Sequence, residues 1–200
     1  MLISILTFQG FNELDSFIAL GILNRIKKPN WRVEICCPES SVTSMNGVTV
    51  IAQSRLEQLH LSDAVIVGSG LLTREVVKNP EIMQQLQEGL APSRQLIAAQ
   101  CSGTLILAQL GLIGQIPACT DLITKPWVQE SGVNVLNTPF YAENNIATAG
   151  GCLASQYLAA WIIAKTQGLE AVKEAMHYVA PVGEKDDYVK RAIANIEIFL

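Results

Sequence analysis

Short apolar runs alternate along this chain with longer stretches in which apolar positions recur every three or four residues. The runs at 2–8, 31–37, 61–67 and 96–99, with shorter ones at 133–136 and 146–148, read as strands. Helices are predicted between them. The first begins at Asn12, which caps it, presents Leu14, Phe17, Ile18, Gly21 and Ile22 as its inward stripe, and stops near Lys27 and Lys28. Others start at Asn79-Pro80, run over 105–110 to a stop at Gly111, and run over 153–167 to a cap at Gly168. Two more occupy 170–179 and 186–199. Asn46-Gly47 is placed as a hairpin turn between short strands. Strands that alternate with helices through short connections predict one α/β domain over 1–200, with a doubly wound, mostly parallel sheet sandwiched by helices.

Composition sharpens that picture. Half of the 200 residues are apolar and only 16% are charged, as expected of a sheet covered on both faces. A chain of this size buries a core without metal or disulfide staples. With a formal net charge of -4 and scattered basic residues, nothing predicts a nucleic-acid partner, and none is expected. Met1 leads directly into a strand-like run with no basic segment, so no cleaved signal peptide is expected. Five cysteines, an odd number without regular spacing, suit a reducing cytosol. No spacing of His and Cys suggests a zinc ligand set. Residues 95–120 and 144–164 lack charge, but Gln, Ser, Thr, Gly or Asn interrupts each one. Both divide into strand, turn and helix instead of spanning a membrane.

Candidate chemistry centres on Cys101. It lies where the 96–99 strand turns into the 105–110 helix, with small residues Ala99 and Gly103 two positions to either side. That is the layout of a nucleophile elbow, which exposes its nucleophile at the carboxyl end of a strand, where open α/β sheets bind ligands. The helix N-terminus is expected to favour thiolate. The alternative is a buried structural cysteine. Gly68-Ser69-Gly70 follows the 61–67 strand at the same sheet edge, so Gly70 N–H and Ser102 N–H form a candidate oxyanion-binding pair. Cys152, after Gly150-Gly151, is a second thiol at a helix start and reads better as a small residue packed near the pocket wall. Cys36, Cys37 and Cys119 read as core. His60 and His177 read as surface or interface residues. Trp31, Trp127 and Trp161 read as packing groups, with Trp127 also a candidate pocket wall or dimer contact.

Four segments, G-F-N-E-L-D-S, V-I-V-G-S-G, A-Q-C-S-G and T-A-G-G-C-L-A-S, together resemble the ThiJ/PfpI superfamily, in order and over nearly the whole chain. The resemblance implies the flavodoxin-like fold of class I glutamine amidotransferases. It places Asp15 beside Cys101, since many members carry an acidic residue there. Aspartate at that place, with Ser102 after the cysteine, looks like the isonitrile hydratase branch, which usually has threonine where Ser102 stands. The H-Y-V-A-P-V-G-E segment is also similar to that branch. What this implies is a cytoplasmic homodimer that hydrates a small-molecule isonitrile to an N-formamide, with no metal or organic cofactor. Cys101 would attack the terminal carbon to give a thioimidate, Asp15 would supply the proton, and water would release the product.

The chain departs from the family at several places. Asp121 stands where members commonly have a histidine, which argues against a Cys-His-Glu amidotransferase or peptidase triad. It reads either as a pocket carboxylate in the substrate site or as a solvated loop residue. Gly68-Ser69-Gly70 replaces Pro-Gly-Gly, and Tyr157 replaces an acidic residue. Asp15 itself has two readings: ionised in the first turn of a helix, where the dipole favours it, or protonated beside a thiolate. The repulsion of close like charges favours the second. Two other functions stay open: a non-catalytic redox-sensing or ligand-binding domain, and a glyoxalase or deglycase-like activity on reactive carbonyls.

Overall fold

The computed structural model describes residues 1–200. In chain order its elements are β1 (Leu2–Leu6), α1 (Glu13–Leu23), β2 (Arg32–Cys37), β3 (Ser41–Thr43), β4 (Thr49–Ile51), β5 (Ser54–Arg55) and β6 (Ala64–Val67). There follow α2 (Thr73–Val76), α3 (Pro80–Gly89), β7 (Leu96–Gln100), α4 (Gly103–Gln109), α5 (Lys125–Glu130), β8 (Phe140–Glu143) and β9 (Ile146–Ala149). Three helices close the chain: α6 (Ser155–Gln167), α7 (Leu169–Val179) and α8 (Lys185–Ile196).

Seven strands make one sheet in the order β5-β2-β1-β6-β7-β9-β8, parallel throughout except where β8 pairs antiparallel with β9. The chain first builds outward from β1 to β2 and β5, then returns to build from β6 on the other side. The strand order therefore reverses between β1 and β6, and ligands of open α/β sheets bind in the crevice at such a point.

Period-two alternation sends neighbouring side chains to opposite faces. Ile3, Ile5, Ala64, Ile66 and Ala98 join a core with α1 and α6, around the fully buried Trp161. Leu6, Val65, Val67, Ile97 and Ala99 join a second core with Leu86 of α3 and Ile106 of α4. The expected doubly wound sandwich is thus the observed fold. The uncharged 144–164 segment is explained by the same layering: β9 is wholly buried, and α6 is buried at eight positions from Ser155 to Ile163. No helix is long and apolar enough to cross a membrane.

Local expectations needed correction in three places. The predicted strand at 133–136 is only an isolated bridge between Ala118 and Val135. The sheet edge there is taken by β8, which folds back through the Asn144-Asn145 turn to pair with β9. In α1 the buried residues are Asp15, Ser16, Ala19, Ile22 and Leu23, while Leu14 is 52% exposed. In its first turns the helix sets small and polar residues toward the sheet, and Ile22 and Leu23 complete the buried face at its end. Of the expected stripe Ile22 is buried, and Phe17, Ile18 and Gly21 line with it a groove of about 860 Å³ shared with α6, α7 and α8. That helix also ends at Leu23, short of Lys27.

Candidate active site

The elbow forms at the end of β7. Cys101 N–H donates to Ala149 O at 2.8 Å, extending the β7–β9 ladder by one residue, and the backbone then reverses with Cys101 at φ +48°. A non-glycine residue in that left-handed region costs about 1–2 kcal/mol. Such strain concentrates at functional sites. The turn is clamped by Thr104 N–H and Thr120 Oγ1, which both donate to Cys101 O at 3.2 and 2.7 Å. It also needs Gly103: a Cβ there would lie 2.4 Å from Val67 O and 2.8 Å from Gly68 O, so α4 can approach the end of β6 only without a side chain.

Asp15 comes from the first turn of α1. Asn12 caps the helix, accepting from Leu14 N–H at 3.1 Å, so Asp15 is not the capping group. Its carboxyl turns inward and is fully buried. Ser69 Oγ donates to Asp15 Oδ2, while Oδ1 has no partner of ordinary hydrogen-bond geometry. Burial pushes the Asp15 carboxyl above the usual carboxylate range, an effect that the Ser69 hydroxyl opposes.

Three segments meet here: the Asp15 carboxyl and the sulfurs of Cys101 and Cys152 all lie within 4.8 Å of one another. Sequence spacing showed no such cluster, and this trio is what the chain offers a soft metal ion. Gln100 Nε2 donates both to Cys101 Sγ, at 3.1 Å, and to Gly151 O, at 2.9 Å. Asn12 Nδ2 donates to Cys152 Sγ at 3.3 Å. Burial raises the Cys101 thiol well above its ordinary value, the Asp15 charge adds to the rise, and the Gln100 amide opposes it. The helix start therefore does not dominate the thiol, contrary to the expectation from its place in the chain. Because each negative charge disfavours the other, Asp15 and Cys101 titrate as a pair.

The remaining candidates are distributed as follows. Gly70 and Ser102 are neighbours, but Gly70 N–H donates to Ser102 Oγ at 3.1 Å, and that hydroxyl is 2.7 Å from Thr73 Oγ1. Gly70 N–H is thus occupied, whereas Ser102 N–H donates to no group of the chain. Asp121 Oδ1 accepts from Ile123 N–H at 2.9 Å and Thr124 N–H at 3.0 Å, ordering the entry to α5. Its charge raises both Asp15 and Cys101, but as the smallest of the contributions. Both histidines are exposed and away from the sulfur, His60 hydrogen bonding within its own turn to Glu57 O. Trp127 packs under the Arg74 guanidinium, 4.8 Å from its ring centre.

Sequence reasoning missed the parts played by Ser69, Gln100 and Cys152. Gln100 carried a signal, as a polar residue ending an apolar strand beside the candidate nucleophile. Ser69 stood between two glycines that drew attention to the backbone alone.

A strained cysteine elbow one strand from the switch point of a doubly wound sheet, with a buried carboxyl against the sulfur, defines an α/β protein of the cysteine-elbow type. More particularly, residues 1–165 match the DJ-1/PfpI family, and the chain belongs to it. No curated protein matches. Among solved structures, the fold is similar to DJ-1 of Schizosaccharomyces pombe, with TM-score 0.77 and 16% identity over 90% of this chain and 100% of that one. It is likewise similar to Drosophila melanogaster DJ-1beta, with TM-score 0.77 and 19% identity over 89% and 96%. A THiJ/PfpI family protein from Pseudomonas syringae covers 98% of this chain and 87% of its own length, with TM-score 0.77 and 15% identity.

Proposed function

We propose that the protein is a cysteine-dependent enzyme that adds water to an isonitrile, giving an N-formamide. The observation that carries this reading is the buried Asp15–Cys101 pair, which has a carboxyl against the sulfur and no histidine beside it. An amide or peptide substrate needs a base for the thiol and an acid for the leaving amine. An isonitrile has no leaving group. Its terminal carbon accepts both the sulfur and a proton, and one shared proton supplies that need.

The pair holds one proton, which rests on the Cys101 thiol, and in the active form it has passed to Asp15, leaving sulfur as thiolate and Asp15 as acid. Cys101 Sγ bonds to the terminal carbon, and Asp15 delivers its proton to the same carbon, leaving a thioimidate. Water then adds to that carbon, and the proton it loses passes by way of the Asp15 carboxylate to the nitrogen. The C–S bond breaks, the hydroxyl becomes the formamide carbonyl, and the pair is left with its single proton. The free Ser102 N–H is the donor for positioning water; Gly70 and Asp121 act from behind, through the Ser102 hydroxyl and through charge. The groove beside Cys152, walled by Phe17, Ile18, Tyr157, Tyr178 and Tyr188, suits an apolar group on the substrate nitrogen.

The test is incubation with alkyl and aryl isonitriles, following loss of the N≡C stretch and formamide by NMR. Turnover is expected with both, and formamide no faster than in buffer would reject the reading. The same proposal takes the protein as a cytoplasmic homodimer. Supporting it, exposed apolar residues adjoin each site segment: Leu14, Leu71, Leu122, Ile123 and Leu153 are all at least half exposed. Light scattering is expected to give twice the mass of one 21.7 kDa chain, and a monomer at micromolar concentration would remove the dimer from the proposal.

A further inference from the structure

Hydration uses one thiol, yet the fold brings two together. We propose that Cys101 and Cys152 form a reversible disulfide when the chain meets a hydroperoxide, so that Cys152 is a switch on the nucleophile.

The two sulfurs come from residues 51 positions apart in the chain and stand no more than 4.8 Å from each other. A disulfide needs about 2.05 Å, so a closure of less than about 3 Å makes the bond. The movement falls on the Cys152 side. Cys101 is held by the β7–β9 ladder and by the clamps on its carbonyl. Cys152 instead opens a single 3-10 turn, Cys152–Ala154, before α6. It follows Gly151, at φ +87° with nothing within 4 Å of where a Cβ would stand. Shifting that turn breaks no pairing of the sheet. Gln100 keeps the two segments aligned meanwhile, since one amide nitrogen serves both Cys101 Sγ and Gly151 O.

Access differs between the sulfurs in a way that orders the steps. Cys101 is 4% exposed, whereas Cys152 is half-buried and lines the open groove. The hydroperoxide therefore reaches Cys152 first. Its sulfur attacks the peroxide, the O–O bond breaks, and Cys152 becomes a sulfenic acid as water or an alcohol leaves. Cys101 sulfur then attacks the sulfenic sulfur, forming the S–S bond and expelling the hydroxyl, which takes the thiol proton and leaves as water. The sulfurs together lose two electrons and the peroxide gains them. The other cysteines have no such neighbour: Cys36 and Cys37 point to opposite core faces of β2, and Cys119 Sγ pairs with Thr138 Oγ1.

The experiment treats the full chain with hydrogen peroxide, blocks remaining thiols with a maleimide, and maps peptides without reduction. A Cys101–Cys152 linked peptide with a loss of about 2 Da is expected as the main product, reversed by dithiothreitol. In Cys152→Ser the linked peptide disappears, and in Cys101→Ser oxidation proceeds to sulfinic acid at Cys152. Sulfinic acid at Cys101 as the main product of the unmodified chain, with Cys152 still a thiol, overturns the proposal. So does the same product distribution with and without Cys152. Since the readout is a mass and not a turnover, its failure and the failure of the hydration reading are separate results.

Discussion

Cys101→Ala is expected to keep the fold and to lose formamide production down to the rate of the uncatalysed reaction. The substitution removes only the sulfur, whose hydrogen bond is to the Gln100 side chain; the clamps on the elbow are Cys101 N–H and O, and any residue supplies those. Alanine also retains the Cβ that makes φ +48° unfavourable, so the elbow stays strained. Glycine is the informative companion. Cys101→Gly is equally inactive but is expected to be more stable than Cys101→Ala by about 1 kcal/mol, because only glycine occupies this region without cost. Denaturant unfolding measures the difference. Equal midpoints would mean that no strain is stored at residue 101, and retained turnover in either variant would take the nucleophile role away from it.

Asp15→Asn is expected to lower turnover by a factor of about 10²–10⁴, the usual contribution of a positioned acid or base. Asparagine keeps the shape and the oxygen that accepts from Ser69, but it has no proton to give. Its effect on stability runs the other way. Burial raises the Asp15 pKa in the folded chain, so the folded state binds its proton more tightly than the unfolded state does. The carboxyl's contribution is therefore most favourable at low pH, below the unfolded value of about 3.9. It is lost as pH rises from there through the raised folded value. The variant, having no charge to bury, is expected to unfold at a higher temperature than the parent at neutral pH, with the gap closing on acidification. A scanning series from pH 4 to 8 reads this directly. A parent more stable than the variant at pH 7 would mean that Asp15 is not held against its charge, and the shared-proton mechanism would lose its acid. The rate profile carries the same signature. Turnover should rise with pH as the pair loses its second proton, with a midpoint above the ordinary carboxylate value, and Asp15→Asn should abolish that limb.

Much of the site was legible because it is local. The nucleophile elbow needs a strand, a sharp turn and a helix in immediate succession, and the small residue at 103 is visible in the chain before its contact with Val67 O is known. The Gly68–Gly70 turn was legible for the same reason. Asp15 was legible through resemblance and through the electrostatics of close like charges, yet its periodic neighbours misled. The stripe of Leu14, Phe17 and Ile18 looked like the core face, whereas it borders the groove and the solvent, and the buried face runs from Asp15, Ser16 and Ala19 to Ile22 and Leu23. Hydrophobicity alone assigns large apolar residues inward, but the first turns of this helix bury short and polar side chains where they approach the end of the sheet.

The sequence by itself determined the alternation of strands and helices, the two-sided burial of the sheet and the elbow at Cys101, since each depends on periodicity or turn chemistry within a few residues. Only the tertiary structure decided that Ser69 donates to Asp15, that Gln100 ties Cys101 to Gly151, that Gly70 N–H is occupied by Ser102, and that Cys152 stands beside the nucleophile. It also decided that burial, not the helix start, governs the Cys101 thiol. These outcomes depend on how segments distant in the chain are stacked at one sheet edge. Desolvation and charge coupling are set by what surrounds a group in space, and no spacing along the chain records that.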